Sequence, residues 1–234
     1  PKMLRPMSSI LFIAADPREL TGLLSHWENI TPLRLPVHFA RSGRSKGREV
    51  FAIANGAGAD RAFAATLLAP RVSSICNVGF CGALDETLEI GDIVVATEVA
   101  TATQSWPAYV PQAPISHTVK VACVDRVAQT AAAKHGLRQT GASIVEMESA
   151  GVARAAEDLH VPFSCIRAVS DLASEDFAND FNAALTPDGR FSIPRLLAGA
   201  VSSPRVKLKE LIRLQQRTAL ASKKLGDFLA ATTF

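Results

Sequence analysis

Two glutamates flank a methionine in Ile144-Val145-Glu146-Met147-Glu148-Ser149-Ala150-Gly151, just ahead of a small-residue run with helix-forming composition. A third carboxylate, Asp171, ends the apolar segment Val161-Pro162-Phe163-Ser164-Cys165-Ile166-Arg167-Ala168-Val169-Ser170. If the fold brings them together, these groups make a grip for sugar hydroxyls beside a proton donor.

The elements around them read as a scaffold. Ser9–Ala15 is a buried strand by its unbroken apolar run. Asp16-Pro17-Arg18-Glu19 then offers an N-cap, a proline at the first helical position and the acid of a capping box. Leu20, Leu23, Leu24 and Trp27 follow at helical spacing, and Pro32 and Pro36 close the connection. Val37–Ala40 and Val50–Ala54 read as strands around a turn at Ser42–Gly47. Asn55-Gly56-Ala57-Gly58 opens the Ala-rich helix Ala59–Leu68; such a turn brings backbone N–H groups to an anion or serves only close packing. Val72–Asn77 is a strand, Gly79–Ala83 a second Gly-rich turn, and Leu84–Ile90 a loop before the strand Ile93–Ala96. Thr101–His117, with three prolines, Trp106 and Tyr109, reads as a long irregular loop. Then come the strand Val119–Val124, a helix Val127–His135 stopped by Gly136, the short strand Ser143–Met147, the helix Glu148–Leu159 and the strand Phe163–Ser170. Beyond Asp171, Asp176–Asn182 is loop-like, Thr186–Gly189 is a turn, and Ile193–Val201 and Arg205–Leu229 read as helices.

This alternation predicts a three-layer α/β domain with its site at the carboxyl ends of the strands. Glu19, Gly56–Gly58, Gly79–Gly82, Glu146–Glu148 and Asp171 all fall there. With 48% hydrophobic but only 6% aromatic residues, the core of this 234-residue chain must be aliphatic. The net charge of +3 is too mild to call for nucleic acid, although residues 190–224 hold nine Lys/Arg against the single acid Glu210. Cys76, Cys81, Cys123 and Cys165 lack paired spacing, so no metal is expected and buried thiols in a reducing cytoplasm are. Pro1–Ser9 shows no signal-peptide pattern, and no apolar run reaches transmembrane length.

The motifs resemble one superfamily, that of the purine nucleoside phosphorylases and the methylthioadenosine/adenosylhomocysteine nucleosidases. Val145–Gly151 is similar to its VEME-A-A/G signature, and Arg167-Ala168-Val169-Ser170-Asp171 to its R-A-[IV]-S-D run, at matching spacing. Asn77–Leu84 followed by Ile90–Val95 resembles its NTGSAGGL…VGDIVV block. Asn55–Gly58 resembles its SGIG turn, and Ala15–Leu20 its AMEEEV opening. The resemblance implies an α/β fold, a three-layer αβα domain with a central mixed β-sheet, covering residues about 9–175 of a single domain. A helical extension, about 176–234, follows this core and departs from the pattern of the compact nucleosidases.

The same resemblance implies roles. Asp171 protonates the departing purine, with Ser170 fixing its geometry, and Glu19 activates water. Glu148 receives the ribose hydroxyls, Met147 packs on the sugar, and Glu146 either touches the sugar or satisfies backbone. Val127 and Phe163 stand on the base side, while Gly56, Gly58, Gly79, Phe80, Cys81 and Gly82 wall the pocket. The implied activity is cleavage of the N-ribosidic bond of a purine nucleoside, adenine first, by water. Phosphate is the candidate co-substrate of an alternative, phosphorolytic reading, and no other cofactor is implied. Phosphorolytic relatives carry Arg and Ser or Thr where this chain has Asn77 and Phe80, and Arg18, Arg34, Arg41 or Arg61 would have to supply the positive charge. The pattern Leu185-x-x-Asp188-Gly189-Arg190 with the Leu/Arg-rich tail resembles the hopanoid-associated phosphorylase branch, which raises an adenosylated lipid as substrate and peripheral membrane contact through the basic helix. A non-catalytic nucleoside-binding module is the third reading. A homo-oligomer, dimer first, is implied as well.

Overall fold

The computed structural model describes residues 9–199 and 203–234. The expectations for Pro1–Ser8 and for Ala200–Val201 therefore lie outside the described residues. In chain order the elements are β1 (Ile10–Ala14), α1 (Pro17–Leu24), β2 (Glu28–Pro32), β3 (Phe39–Ser45), β4 (Arg48–Ala54), α2 (Ala59–Leu67), β5 (Ser74–Ala83), β6 (Ile93–Ala100) and β7 (Ser105–Pro107). They continue with β8 (His117–Cys123), α3 (Ala131–Arg138), β9 (Ile144–Glu146), α4 (Ser149–Leu159), β10 (Phe163–Asp171), α5 (Phe181–Ala184), α6 (Ile193–Gly199) and α7 (Pro204–Ala231).

The three layers are visible in how β1 splits its side chains. Alternate residues of a strand point to opposite faces. Ile10, Phe12 and Ala14 join Leu20 and Leu23 of α1 and Ala221 and Leu225 of α7 in one core cluster. Leu11 and Ile13 join Ala62 and Ala65 of α2 and Val152 and Ala156 of α4 in the other. With both faces covered, the central strands are apolar throughout rather than alternating. Small residues let the helices within each layer touch: a Cβ on Gly226 has no room against Gly22, nor one on Gly151 against Ala59.

The sheet is mixed. Its order is β10-β6-β8-β9-β5-β1-β4-β3-β2, and β10 pairs back onto β5. Five strands, β5, β9, β8, β6 and β10, thus close on themselves as a small barrel, and β1, β4, β3 and β2 extend from it as an open sheet. The long strand β5 belongs to both parts, pairing β1 through Ser74–Asn77 and β9 through Gly82–Ala83.

Several sequence expectations change here. Gly79–Ala83 is no turn but the second half of β5, because β10 supplies a parallel partner along its whole length. The hairpin turn between β3 and β4 is only Lys46-Gly47, both at positive φ (50° and 76°) as a tight two-residue turn demands. The segment Glu28–Pro32 is an exposed edge strand on β3, where a terminal proline costs no ladder bond. Within Thr101–His117, Ser105–Pro107 pairs with β6, so the stretch is partly ordered. The helix expected from Val127 starts at Ala131, because Thr130 caps it and Asn182 ties down Val127; Gly136 lies inside it. Finally, β9 is antiparallel to β5 and parallel to β8, so Glu146–Glu148 reach the site from a strand that runs opposite to β5. No helix among the described residues is long and apolar enough to cross a membrane.

Candidate active site

Glu19 is placed by its own cap. Its Oε2 accepts from the N–H groups of Ala15 (2.8 Å) and Asp16 (2.9 Å), closing the capping box at the start of α1. Its Oε1 crosses to β5 and accepts from the N–H of Phe80 at 2.7 Å. The residue is 5% exposed. Burial pushes its carboxyl above the usual range, against the opposing pull of Arg167 and the backbone donors.

Arg167 lies at the centre. It is fully buried in mid-β10 and pairs in register with Gly79. One guanidinium nitrogen, Nη2, donates to Glu146 Oε2 and to Asn77 Oδ1, while Nη1 lies 3.6 Å from Glu148 Oε2. A Cβ on Gly79 would sit 2.5 Å from both Arg167 Nη1 and Glu19 Oε1, so glycine is what lets both groups pack against β5 at this point. Glu146 is saturated: it accepts from the N–H groups of Glu148 and Ser149 (2.9 Å each) and from the Ser149 hydroxyl, besides Arg167. It therefore caps α4 and holds the guanidinium. Glu148 is freer. Its Oε1 accepts from the Gly58 N–H at 3.1 Å, and burial together with Glu146 pushes its carboxyl up to about 8.

Asp171 ends β10 on a second charged pair. Its Oδ2 is 2.6 Å from the ammonium of Lys134, and its Oδ1 accepts from the Ser170 hydroxyl at 2.8 Å. Gly82 makes room, since a Cβ there would lie 2.8 Å from Asp171 Oδ2. Burial raises the Asp171 carboxyl, with Lys134 and Ser170 pulling the other way.

The remaining expected residues are placed as follows. Met147 is buried between the two glutamates. Gly56, Ala57 and Gly58 form the turn after β4, but their N–H groups are already given to Ala15 O, Gly189 O and Glu148 Oε1. Phe80 is partly exposed and Cys81 buried on β5. Val127 precedes α3, and the Asn182 carboxamide takes both its N–H (2.9 Å) and its carbonyl (3.0 Å). Phe163 is not with the others. It opens β10 eight residues before Asp171, roughly 26 Å away at strand rise, and packs in the core. A cavity of about 570 Å³ borders Leu172 and is lined by Glu86, Leu88, Glu89 and Ile90, not by Glu148 or Asp171. Among the described residues no group of His, Cys, Asp and Glu is arranged to hold a metal ion.

Sequence reasoning missed Lys134 altogether, because a lone lysine in an Ala-rich helix carries no signal. Arg167 and Asn77 were visible inside motifs, but nothing local announced that they meet.

Along β5, the place where Glu19 and Arg167 pack at Gly79–Phe80 and the place where Asp171 packs at Gly82 are about 10 Å apart at strand rise, the scale of one nucleoside. One end holds Glu19 and Glu148, both with raised proton affinity, suited to accept hydrogen bonds from hydroxyls and a proton from water. The other end holds a carboxyl able to donate a proton.

Residues 9–121 and 112–187 match the phosphorylase superfamily. The 5′-methylthioadenosine/S-adenosylhomocysteine nucleosidase of Staphylococcus aureus strain MRSA252 is 32% identical over 206 residues, covering 74% of this chain and 90% of its own. The S-adenosylhomocysteine nucleosidase of Streptococcus pyogenes, solved with 5-methylthiotubericidin, superposes with a TM-score of 0.74 at 19% identity, covering 97% of each chain. A futalosine hydrolase mutant of Helicobacter pylori superposes with a TM-score of 0.70 at 17% identity, covering 96% of this chain and 97% of that one. At these identities the two solved structures speak for the fold.

Proposed function

The chain belongs to the phosphorylase superfamily, and on that premise we propose that it is an enzyme that cleaves the N-ribosidic bond of a purine nucleoside, adenine being the first choice of base, by attack of water. The observation that carries the choice of water is the charge count around Arg167. Three buried carboxylates, Glu19, Glu146 and Glu148, face that one guanidinium. Even with Glu148 protonated, as its value of about 8 leaves it near neutral pH, Glu19 and Glu146 outnumber the one guanidinium, so a phosphate dianion placed there meets net repulsion, and the Gly56–Gly58 turn has no free N–H to offer it. Of the arginines that could take phosphate, Arg18 is spent on Asp16 at 2.9 Å and Arg61 donates to the carbonyl of Pro187.

Each group then has a task. Glu148 accepts hydrogen bonds from the ribose 2′- and 3′-hydroxyls, and Met147 packs on the sugar. Glu19 takes a proton from the water that attacks C1′. As the C1′–N9 bond breaks, its electron pair passes to the base, and Asp171 delivers a proton to the base nitrogen. General acid catalysis of this kind contributes about 10²–10⁴-fold. Arg167 keeps Glu146 and Glu148 in place without touching substrate.

The wider expectations belong to the same proposal. The four free, buried cysteines suit a reducing compartment, which supports a cytoplasmic location. A homodimer is the assembly of choice, with half-exposed Tyr109 and Val110 offering apolar surface. For the basic tail, the packing of α7 on α1 supports docking over membrane contact, since Ala221, Leu225 and Leu229 are buried there. Release of adenine from methylthioadenosine, adenosylhomocysteine or adenosine, lost in Asp171→Asn, is the expected assay result. Tight binding of all three without turnover would instead make the protein a nucleoside-binding module.

A further inference from the structure

Lys134 has no place in the reaction as described, yet it is among the most deeply buried side chains of the protein. It projects from α3, and its ammonium reaches Asp171 Oδ2 at 2.6 Å. It also donates to the carbonyl of Leu172 at 2.6 Å and of Glu175 at 3.4 Å, and lies 5.2 Å above the Phe177 ring. All its contacts are with the segment around and just beyond Asp171. An unpaired lysine is too costly to bury without such a purpose-built nest.

We propose that Lys134 is a positioning residue acting through Asp171: it governs the proton that Asp171 delivers to the leaving base. The inference rests on the reading of Asp171 as the acid. When the C1′–N9 bond breaks, the base takes both bonding electrons and then the Asp171 proton, leaving a buried carboxylate. Lys134 stabilises that carboxylate at hydrogen-bond distance. Asp171 is thereby a stronger acid once protonated, but it gives up its proton to solvent at lower pH. The other charged groups facing the pair do not substitute for the lysine. Glu175, on the loop after β10, is held by Arg217 (2.7 Å) and Arg213 (3.6 Å), and Asp176 accepts from the Ala131 N–H. Across on β5 stands the buried thiol of Cys81, whose ionisation burial opposes.

The sign of the test follows. Cleavage needs protonated Asp171, so activity falls as pH rises through the titration of that carboxyl. Without Lys134 this alkaline limb moves to higher pH, while the low-pH plateau drops because the acid is weaker. For Lys134→Met we expect the limb of kcat/KM to rise by about one pH unit or more, and the plateau to fall about ten-fold. Lys134→Arg keeps the limb within about half a unit, since it keeps the charge. A 7-methylated purine nucleoside, whose base is already cationic while bonded and so leaves neutral without a proton from Asp171, is cleaved by wild type and Lys134→Met within about three-fold of each other. A limb that stays put, or an equal loss on the 7-methylated substrate, overturns the proposal. Should Lys134→Met not fold, Lys134→Gln keeps a donor for Leu172 but no charge and carries the same expectation. Carbon-13 NMR of the Asp171 carboxyl, assigned with Asp171→Asn, reads the pair without turnover. Its titration moves up when Lys134 is neutralised, even if no purine nucleoside is cleaved and the functional reading fails. If it does not move, the role given to Lys134 fails while the functional reading stands.

Discussion

The Glu19 carboxylate accepts a 2.7 Å hydrogen bond from the Phe80 N–H, sixty-one residues along the chain. One side chain thus closes a helix cap with one oxygen and joins the centre of the sheet with the other. Glu19→Gln keeps the shape and part of the cap but cannot take a proton. We expect kcat to fall about 10²–10³-fold with KM little changed. Thermal unfolding should show a loss of no more than about 2 kcal/mol, the scale of a weakened cap. A variant that retains more than a third of wild-type kcat removes Glu19 from water activation.

Arg167 and Glu146 form a fully buried ion pair, and either alone is worse than neither. Removing one partner leaves an uncompensated buried charge, so Arg167→Met should cost about 3–5 kcal/mol in denaturant unfolding. Adding Glu146→Met to Arg167→Met should recover part of that loss, the signature of coupling in a double-mutant cycle. Strictly additive losses would mean the pair is not the unit described.

Glu148 links the site to stability. Its carboxyl stands at about 8 in the fold, raised by burial and by Glu146 from an ordinary value near 4.5. A raised carboxyl contributes its full stability below the lower value, and that contribution is lost as pH climbs through the upper one. The unliganded protein should therefore lose on the order of a few kcal/mol between pH 5 and 9 on this account, and Glu148→Gln should be spared. Melting curves of the two proteins should agree near pH 5 and separate by several degrees near pH 9. Parallel curves across that window contradict the placement of Glu148.

Gly79 admits no side chain. Its missing Cβ is the space in which Arg167 Nη1 and Glu19 Oε1 stand, each 2.5 Å from where that atom would be. Gly79→Ala must displace one or the other. Activity should fall by about 10²-fold or more, as misplacement by an ångström does, while far-ultraviolet circular dichroism stays native. Near wild-type turnover in this variant would show that the two groups need not occupy that space.

Much of this was legible in the sequence, for local reasons. The Asp16-Pro17-Arg18-Glu19 cap, the apolar strand Ile10–Ala14 and the carboxylates at 146, 148 and 171 announce themselves by spacing alone. What was hidden is non-local. Gly79–Ala83 looks like a turn until β10 pairs with it, and the reversal of β9 is set by the barrel closure, which no short window of sequence encodes. The resemblance puts Phe163 on the base side, but it shares its strand with Asp171 and lies at the opposite end. Lys134 and Asp171 meet across thirty-seven residues of chain and two elements, so neither residue type nor spacing points to the pair.

The central claim is that water attacks C1′ of a purine nucleoside. It is tested most directly by turning over methylthioadenosine or adenosine in ¹⁸O-labelled water, with and without inorganic phosphate, and analysing the sugar by mass spectrometry. The account predicts adenine and a free reducing sugar carrying one ¹⁸O at C1, at a rate indifferent to phosphate. A sugar 1-phosphate formed only when phosphate is present, or no base release from any purine nucleoside, would contradict it.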